Sequence, residues 1–169
     1  MKIGIKTLWN TAISICLLCL LALPSCVSGT DKLEAVMLKD SEIPKECKAI
    51  DGKYPTDFQT GILYERYDMY KQIVPPLSGK QAKSFKCGRQ KGTIFYFEYS
   101  SATDRQKAED FVRRLLWGED HPNADHPEQI EHAENLLLVI SFEKVPDALL
   151  AAIRAKRQKG VTPQLARRV

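Results

Sequence analysis

In the second half of the chain the apolar positions change period in a way that lays out a small α+β domain. Residues 83–87 and 93–99 are two strand-like runs joined by a turn through Gly88 and Gly92, which predicts a β-hairpin. In the second run Phe95, Phe97 and Tyr99 share one face while Ile94, Tyr96 and Glu98 share the other, so one side is expected in the core and the other partly wet. Ser101, with Asp104 three residues on, predicts a helix start. Ala108, Phe111, Val112, Leu115 and Leu116 then recur at helical spacing up to Gly118, a natural stop. The dense apolar run 136–142 has the length and composition of a central strand covered on both faces. Pro146 suits the first turn of a last helix, with Leu149, Leu150 and Ile153 as its buried stripe. The simplest packing is a two-layer α+β domain, with a hairpin and a central strand carrying two or three helices on one face.

The first half gives a weaker pattern. Residues 33–38 form an apolar stretch too short to separate a helical turn from a strand, and Asp51, Gly52 and Pro55 mark irregular chain after Cys47. Leu63, Tyr67, Tyr70 and Val74 draw one stripe along a helix that ends before Pro75 and Pro76, although tyrosines also suit strands. After Gly160 few apolar residues remain and Pro163 interrupts any helix, so residues 161–169 read as a basic, frayed tail and residues 27–160 as one globular domain.

The N-terminus carries its own pattern. Lys2 and Lys6 precede an uncharged stretch from Thr7 to Thr30, in which only Ser14 interrupts the apolar run from Ala12 to Leu23. A basic start, an apolar segment of roughly 7 to 15 residues and then small residues are the parts of a secretory signal peptide, here residues 1–26. A spanning helix needs about 20 apolar residues, and Pro24 closes this run well short of that. Leu23, Pro24, Ser25 and Cys26 resemble the lipobox of bacterial lipoproteins, which implies a lipid on the Cys26 thiol and a product tethered to the membrane. Pro24 departs from that motif, whose corresponding position usually holds a small or hydroxylated residue. Val27 and Gly29 offer a competing ordinary cleavage before Thr30, which would release a free product.

Cleavage simplifies the cysteines. Cys16 and Cys19 leave with the apolar segment, and Cys26 is lipidated or removed. Cys47 and Cys87 remain, to pair as one disulfide in an oxidising compartment or to pack as two thiols. A crosslink of that span stabilises a fold by roughly 3 to 4 kcal/mol in the chain-entropy model.

With 44% apolar and 27% charged residues the chain is neither a disordered tail nor a multi-pass membrane protein. The formal charge of +4 drops to +2 once the two leader lysines go, so net charge alone selects no partner. Its distribution says more. Lys71, Lys80, Lys83, Lys86, Arg89 and Lys91 fall in an acid-free stretch, Glu119 to Glu134 form an acidic block, and the tail from Ala148 on is basic again. The blocks either neutralise one another in the fold or meet an anionic surface. Lys80, Lys83, Lys86, Arg89 and Lys91 are then the candidate anion- or partner-binding residues.

All three histidines, His121, His126 and His132, lie in the acidic block, and with Glu128 they are the only candidates for a metal site. Glu128 and His132 stand one turn apart if the chain after Pro127 is helical. No H-E-x-x-H, G-x-S-x-G, P-loop or G-x-G-x-x-G occurs, so no cofactor and no catalytic residue is expected. Trp117 and the aromatics at 95–99 read as core. Export makes nucleic acid an improbable partner. The expectation is therefore an exported, lipid-anchored, non-catalytic protein of the bacterial cell envelope, of binding or structural type, with anionic lipid or an envelope protein as partner. The alternative is a metal-dependent envelope enzyme using His121, His126 and His132.

Overall fold

The computed structural model describes residues 29–51, 59–118, 121–123 and 125–165; for 29–31 and 161–165 it describes the backbone alone. The leader, Cys26, its lipobox and residues 166–169 lie outside the described residues. Among the described residues four helices, α1 (Gly29–Val36), α2 (Gln59–Glu65), α3 (Ala102–Trp117) and α4 (Asp147–Leu165), accompany five strands. The strands are β1 (Cys47–Ile50), β2 (Leu77–Cys87), β3 (Gln90–Tyr99), β4 (Gln129–Ala133) and β5 (Leu136–Phe142). They form one antiparallel sheet in the order β1-β2-β3-β5-β4.

The expected α+β class, the hairpin and the central strand are all present. β2 and β3 meet at a two-residue turn, Gly88 and Arg89, and β3 and β5 occupy the middle of the sheet. α3 starts and stops where its sequence signals lie. Ser101 Oγ accepts from the Asp104 N–H at 3.0 Å, and Gly118, at φ 66°, ends the helix with its N–H on the Arg114 carbonyl. That left-handed φ suits a residue without Cβ.

The helices differ from the two-layer expectation by covering both faces of the sheet. Leu33 and Val36 of α1 and Leu149 and Ile153 of α4 pack on Ile94, Tyr96, Leu138, Ile140 and Phe142. Leu63 of α2 and Ala108, Val112 and Leu116 of α3 pack on Phe95, Phe97, Tyr99, Leu137 and Val139. The side expected to be partly wet is therefore buried, Glu98 included. The reason is α1. Its few apolar residues make a stripe too short to read in the sequence, yet with α4 they roof the second face, and β5 is buried at every position.

Three further elements depart from the sequence pattern. The stripe Leu63, Tyr67 and Val74 is buried as predicted, but the backbone at Arg66 leaves the helical region. α2 ends at Glu65, and a 3-10 turn, Tyr67–Tyr70, follows. The chain after Glu128 is a strand; Cys47–Ile50 is also a strand, followed by irregular chain at Asp51 as expected, while Gly52 and Pro55 lie outside the described residues. α4 continues past Gly160 and Pro163 to Leu165, packed along α1. β4 and β5 join through Glu134 and Asn135. Glu134 takes φ 50°, and Asn135 Nδ2 donates to the Tyr99 carbonyl while the Tyr99 N–H returns to the Asn135 carbonyl, which fixes this turn against the end of β3.

Candidate functional site

Two places in the fold concentrate polar chemistry, and the register of the sheet builds both. The first is cationic. Cys47 pairs directly with Cys87 and the two are joined in a disulfide, so β1 is pinned in register on β2. Lys48 then falls opposite Lys86, and Lys86 opposite Lys91, which makes a row of three lysines across three strands. Arg89 sits in the turn beside them and is exposed. Neighbouring strands lie about 4.8 Å apart, and like charges directly opposite one another destabilise a sheet. No ion pair to Lys48, Lys86, Arg89 or Lys91 forms among the described residues.

The other basic candidates are already engaged. Lys80 Nζ donates to the Tyr64 carbonyl and lies 4.8 Å from that tyrosine's ring centre. Lys83 Nζ donates to the Leu38 carbonyl at 2.8 Å and to Asp40 at 3.1 Å. These two lysines hold loops onto the sheet. On α4, Arg154 and Arg157 both bind Glu131, and Lys156 binds Glu42 at 2.9 Å. Lys156 also lines a shallow cavity of about 250 Å³ with Leu38, Ala152 and Lys159, so part of its charge is neutralised by Glu42 in place. That Lys156 hydrogen bond also holds the Glu42 carboxyl below its ordinary range. The acidic block therefore neutralises the basic C-terminal helix in part and leaves the hairpin tip charged.

The histidines are not brought together. His121 is exposed, His132 stands 3.1 Å from Glu109, and His126 Nδ1 stands 3.7 Å from Glu128. Because residues 129–133 are a strand, Glu128 and His132 are not one helical turn apart as the sequence allowed. Among the described residues no three His, Cys, Asp or Glu side chains converge on a metal position.

The second place is a buried polar end of the sheet on the α3 face. Ser84 and Thr93 are paired and share a hydrogen bond of 2.9 Å, and Thr93 pairs with Ser141 on β5. Continuing the β4/β5 register one residue beyond Gln129↔Ile140 sets Glu128 alongside Ser141. The helix above runs along β4 toward the same end. Arg105 Nε reaches the Glu134 carbonyl and Glu109 reaches His132, so each turn of α3, about 5.4 Å, advances two residues along β4, about 6.8 Å. Two further steps of the same size carry the helix from Glu109 to Trp117 and the chain from His132 to Glu128.

Asn123 closes the same corner. Its Nδ2 reaches the Trp117 carbonyl, its Oδ1 accepts from the N–H groups of Asp125 and His126, and its own N–H donates to the His126 carbonyl. Tyr64 on α2 packs beside Phe95, and Tyr67 in the 3-10 turn that follows packs beside Phe97, so Thr60, one turn before Tyr64 on α2, lies toward Thr93.

What gathers there is unsatisfied. Eight buried side-chain polar atoms have no hydrogen-bond partner among the described residues, and six of them belong to this end. They are both oxygens of Glu128, His126 Nδ1, Trp117 Nε1, Ser141 Oγ and Thr60 Oγ1. Glu128, at 0% exposure, is the charged member.

Sequence reasoning missed Lys48 and most of this polar end. The Lys48 signal was available: a Cys47–Cys87 crosslink between antiparallel strands places Lys48 against Lys86 by counting. Ser141 inside an apolar strand and Thr60 gave no such signal. The chain matches no family model, no curated protein and no solved structure.

Proposed function

We propose that the protein is an exported domain of the bacterial cell envelope, held to a membrane by lipid on Cys26, which docks onto an anionic surface through the tip of its β2/β3 hairpin. The observation that carries the docking is the row Lys48, Lys86 and Lys91 with Arg89 beside it. Like charges held side by side weaken the free sheet, and an anionic partner offsets that repulsion. Each cation near an anionic bilayer contributes about 1 kcal/mol.

The Cys47–Cys87 disulfide supports the exported address, because such bonds persist in oxidising compartments. Among the described residues no helix is long and apolar enough to cross a membrane, so in this reading the attachment rests on the lipid and the lysine row together. Only Val27 and Ser28 separate Cys26 from the first residue of α1. Three residues reach at most about 11 Å, so a lipid there keeps the start of α1 near the head groups.

The test is flotation of a Cys26→Ser chain with vesicles, so that no acyl chain contributes. Binding to vesicles rich in phosphatidylglycerol, absent on neutral phosphatidylcholine, weakened by 0.5 M salt (on the order of a 4 Å Debye length) and abolished in Lys86→Glu/Lys91→Glu, is the expected result. Binding that ignores salt or the double substitution overturns the docking, and an intact mass without an acyl group at Cys26 overturns the tether.

A further inference from the structure

The lysine row leaves the buried end of the α3 face unused, and its chemistry is of the opposite kind. Glu128 supplies two acceptor oxygens and one negative charge, and the hydroxyls of Ser141 and Thr60 can each accept. Trp117 Nε1 is the single obligatory donor. A buried carboxylate demands a positive partner or several hydrogen bonds, and Arg105 and Arg113 of α3 are committed elsewhere. Arg113 binds Glu109 at 2.7 Å while its guanidinium stacks 5.1 Å from the Trp117 ring, and Arg105 binds Glu109 at 2.6 Å. The corner is thus rich in acceptors, holds a buried carboxylate with no hydrogen-bond partner and with His126 Nδ1 3.7 Å away, and is built by four elements that converge from different parts of the chain.

We propose that this corner is a binding site for a small primary ammonium group. Three N–H donors and a single positive charge match the one carboxylate and the surplus acceptors, with Glu128 taking the charge and Ser141 and Thr60 taking the remaining donors. A divalent metal suits the site less well. It would bring two positive charges to one carboxylate, and such ions are held by three or four protein ligands where only His126 and Glu128 stand together. The Trp117 N–H is left to meet an acceptor on the same ligand, such as the hydroxyl of an amino alcohol. The proposal stands independently of docking through the hairpin tip, which shares none of these residues.

The probe is methylammonium chloride added to the full chain, with the indole N–H of Trp117 as reporter, distinguished from that of Trp9 by a Trp117→Phe chain. A saturable shift of that signal and a rise in the thermal midpoint are expected with methylammonium. Tetramethylammonium, which has the charge and no N–H, is expected to produce neither. Glu128→Gln, which keeps the shape and removes the charge, weakens methylammonium at least tenfold, and Ser141→Ala weakens it threefold or more. Should Glu128→Gln fail to fold, the Ser141→Ala affinity decides alone.

Three results overturn the proposal. One is no saturable response to methylammonium, which makes the corner a hydrated interior. Another is an equal response to tetramethylammonium. The third is a zinc response lost in Glu128→Gln together with indifference to methylammonium, which makes it a metal site.

Discussion

Glu109 on α3 places Oε2 3.1 Å from Nδ1 of His132 on β4, so one carboxylate ties the helix to the edge of the sheet. The same group binds Arg105 at 2.6 Å and Arg113 at 2.7 Å. Burial alone would raise the Glu109 carboxyl, and Arg113, His132 and Arg105 outweigh it to hold the group below its ordinary 4.5. A carboxyl lowered on folding stabilises fully above its unfolded value and progressively less as pH falls through the folded one. Glu109→Gln is therefore expected to cost about 3 kcal/mol at neutral pH, the lower end for breaking a buried pair, because Arg113 keeps some contact with water. Urea midpoints at pH 7 and pH 3 check this: the gap between wild type and variant should narrow below pH 4.5 as the wild type loses the same interaction.

Gly92 lies directly across from Phe142, and the ring occupies the space a side chain would need. A Cβ at Gly92 would come within 2.3 Å of the ring carbons. Neither partner has room to retreat, since Phe142 is wedged among Val145, Leu149 and the sheet. Gly92→Ala is expected to cost about 3 kcal/mol, the upper range for overpacking, with an unchanged urea m-value. Gly88→Ala places its methyl in open space at the hairpin turn and meets only the strain of a left-handed φ, so it should cost about 1 kcal/mol.

What the sequence made legible and what it hid divide along physical lines. α3 has local signals at both ends, Ser101 and Gly118, and a full amphipathic period between them, so its limits could be read directly. β5 is apolar at every position but Ser141 and reads as a covered strand. The second roof over the sheet was hidden because α1 offers a handful of apolar residues and its burial depends on α4, more than a hundred residues away. β4 was hidden for another reason: residues 129–133 alternate between Glu131, bound to Arg154 and Arg157, and His132, bound to Glu109, so both faces look polar. Of the functional candidates, the hairpin-tip cations were visible as a basic run, but which of them remain unpaired depends on loop contacts. Lys80 and Lys83 are held by Tyr64 and Leu38, which no local pattern announces.

The disulfide has a second task besides closing a long loop. β1 is an edge strand of four residues, and one of them, Lys48, faces Lys86. Replacing both cysteines, Cys47→Ser/Cys87→Ser, is expected to lower stability by about 4 kcal/mol for a loop of 40 residues. The deficit should grow as salt is removed, because unscreened repulsion along the lysine row then pushes an unpinned β1 from the sheet. Urea unfolding of the double variant at 20 mM and 500 mM salt, roughly 20 Å and 4 Å of Debye length, reads this directly. A salt-independent deficit would mean that β1 is held by its ladder alone.

Tyr67 gives the fold an alkaline limit. Its hydroxyl donates to the Pro75 carbonyl at 2.7 Å and lies 3.3 Å from the Tyr99 hydroxyl, bracing the 3-10 turn against β3. Burial pushes the Tyr67 phenol up to about 12, against the pull of its hydrogen bond with Tyr99, and burial pushes Tyr96 and Tyr99 higher still. A group raised on folding contributes fully below its unfolded value, here 10.0, and that contribution falls away as pH rises toward the folded value. Stability should therefore decline steeply between pH 10 and 12. In a spectrophotometric titration Tyr67, Tyr96 and Tyr99 should ionise only as the protein unfolds. Tyr67→Phe removes the donor to Pro75 and is expected to cost about 1 kcal/mol at pH 7. It also removes one of the three resisting phenols, so the variant's loss of stability from pH 10 to 12 should be shallower than the wild type's. Parallel declines in the two proteins would show that Tyr67 ionises as freely in the fold as outside it.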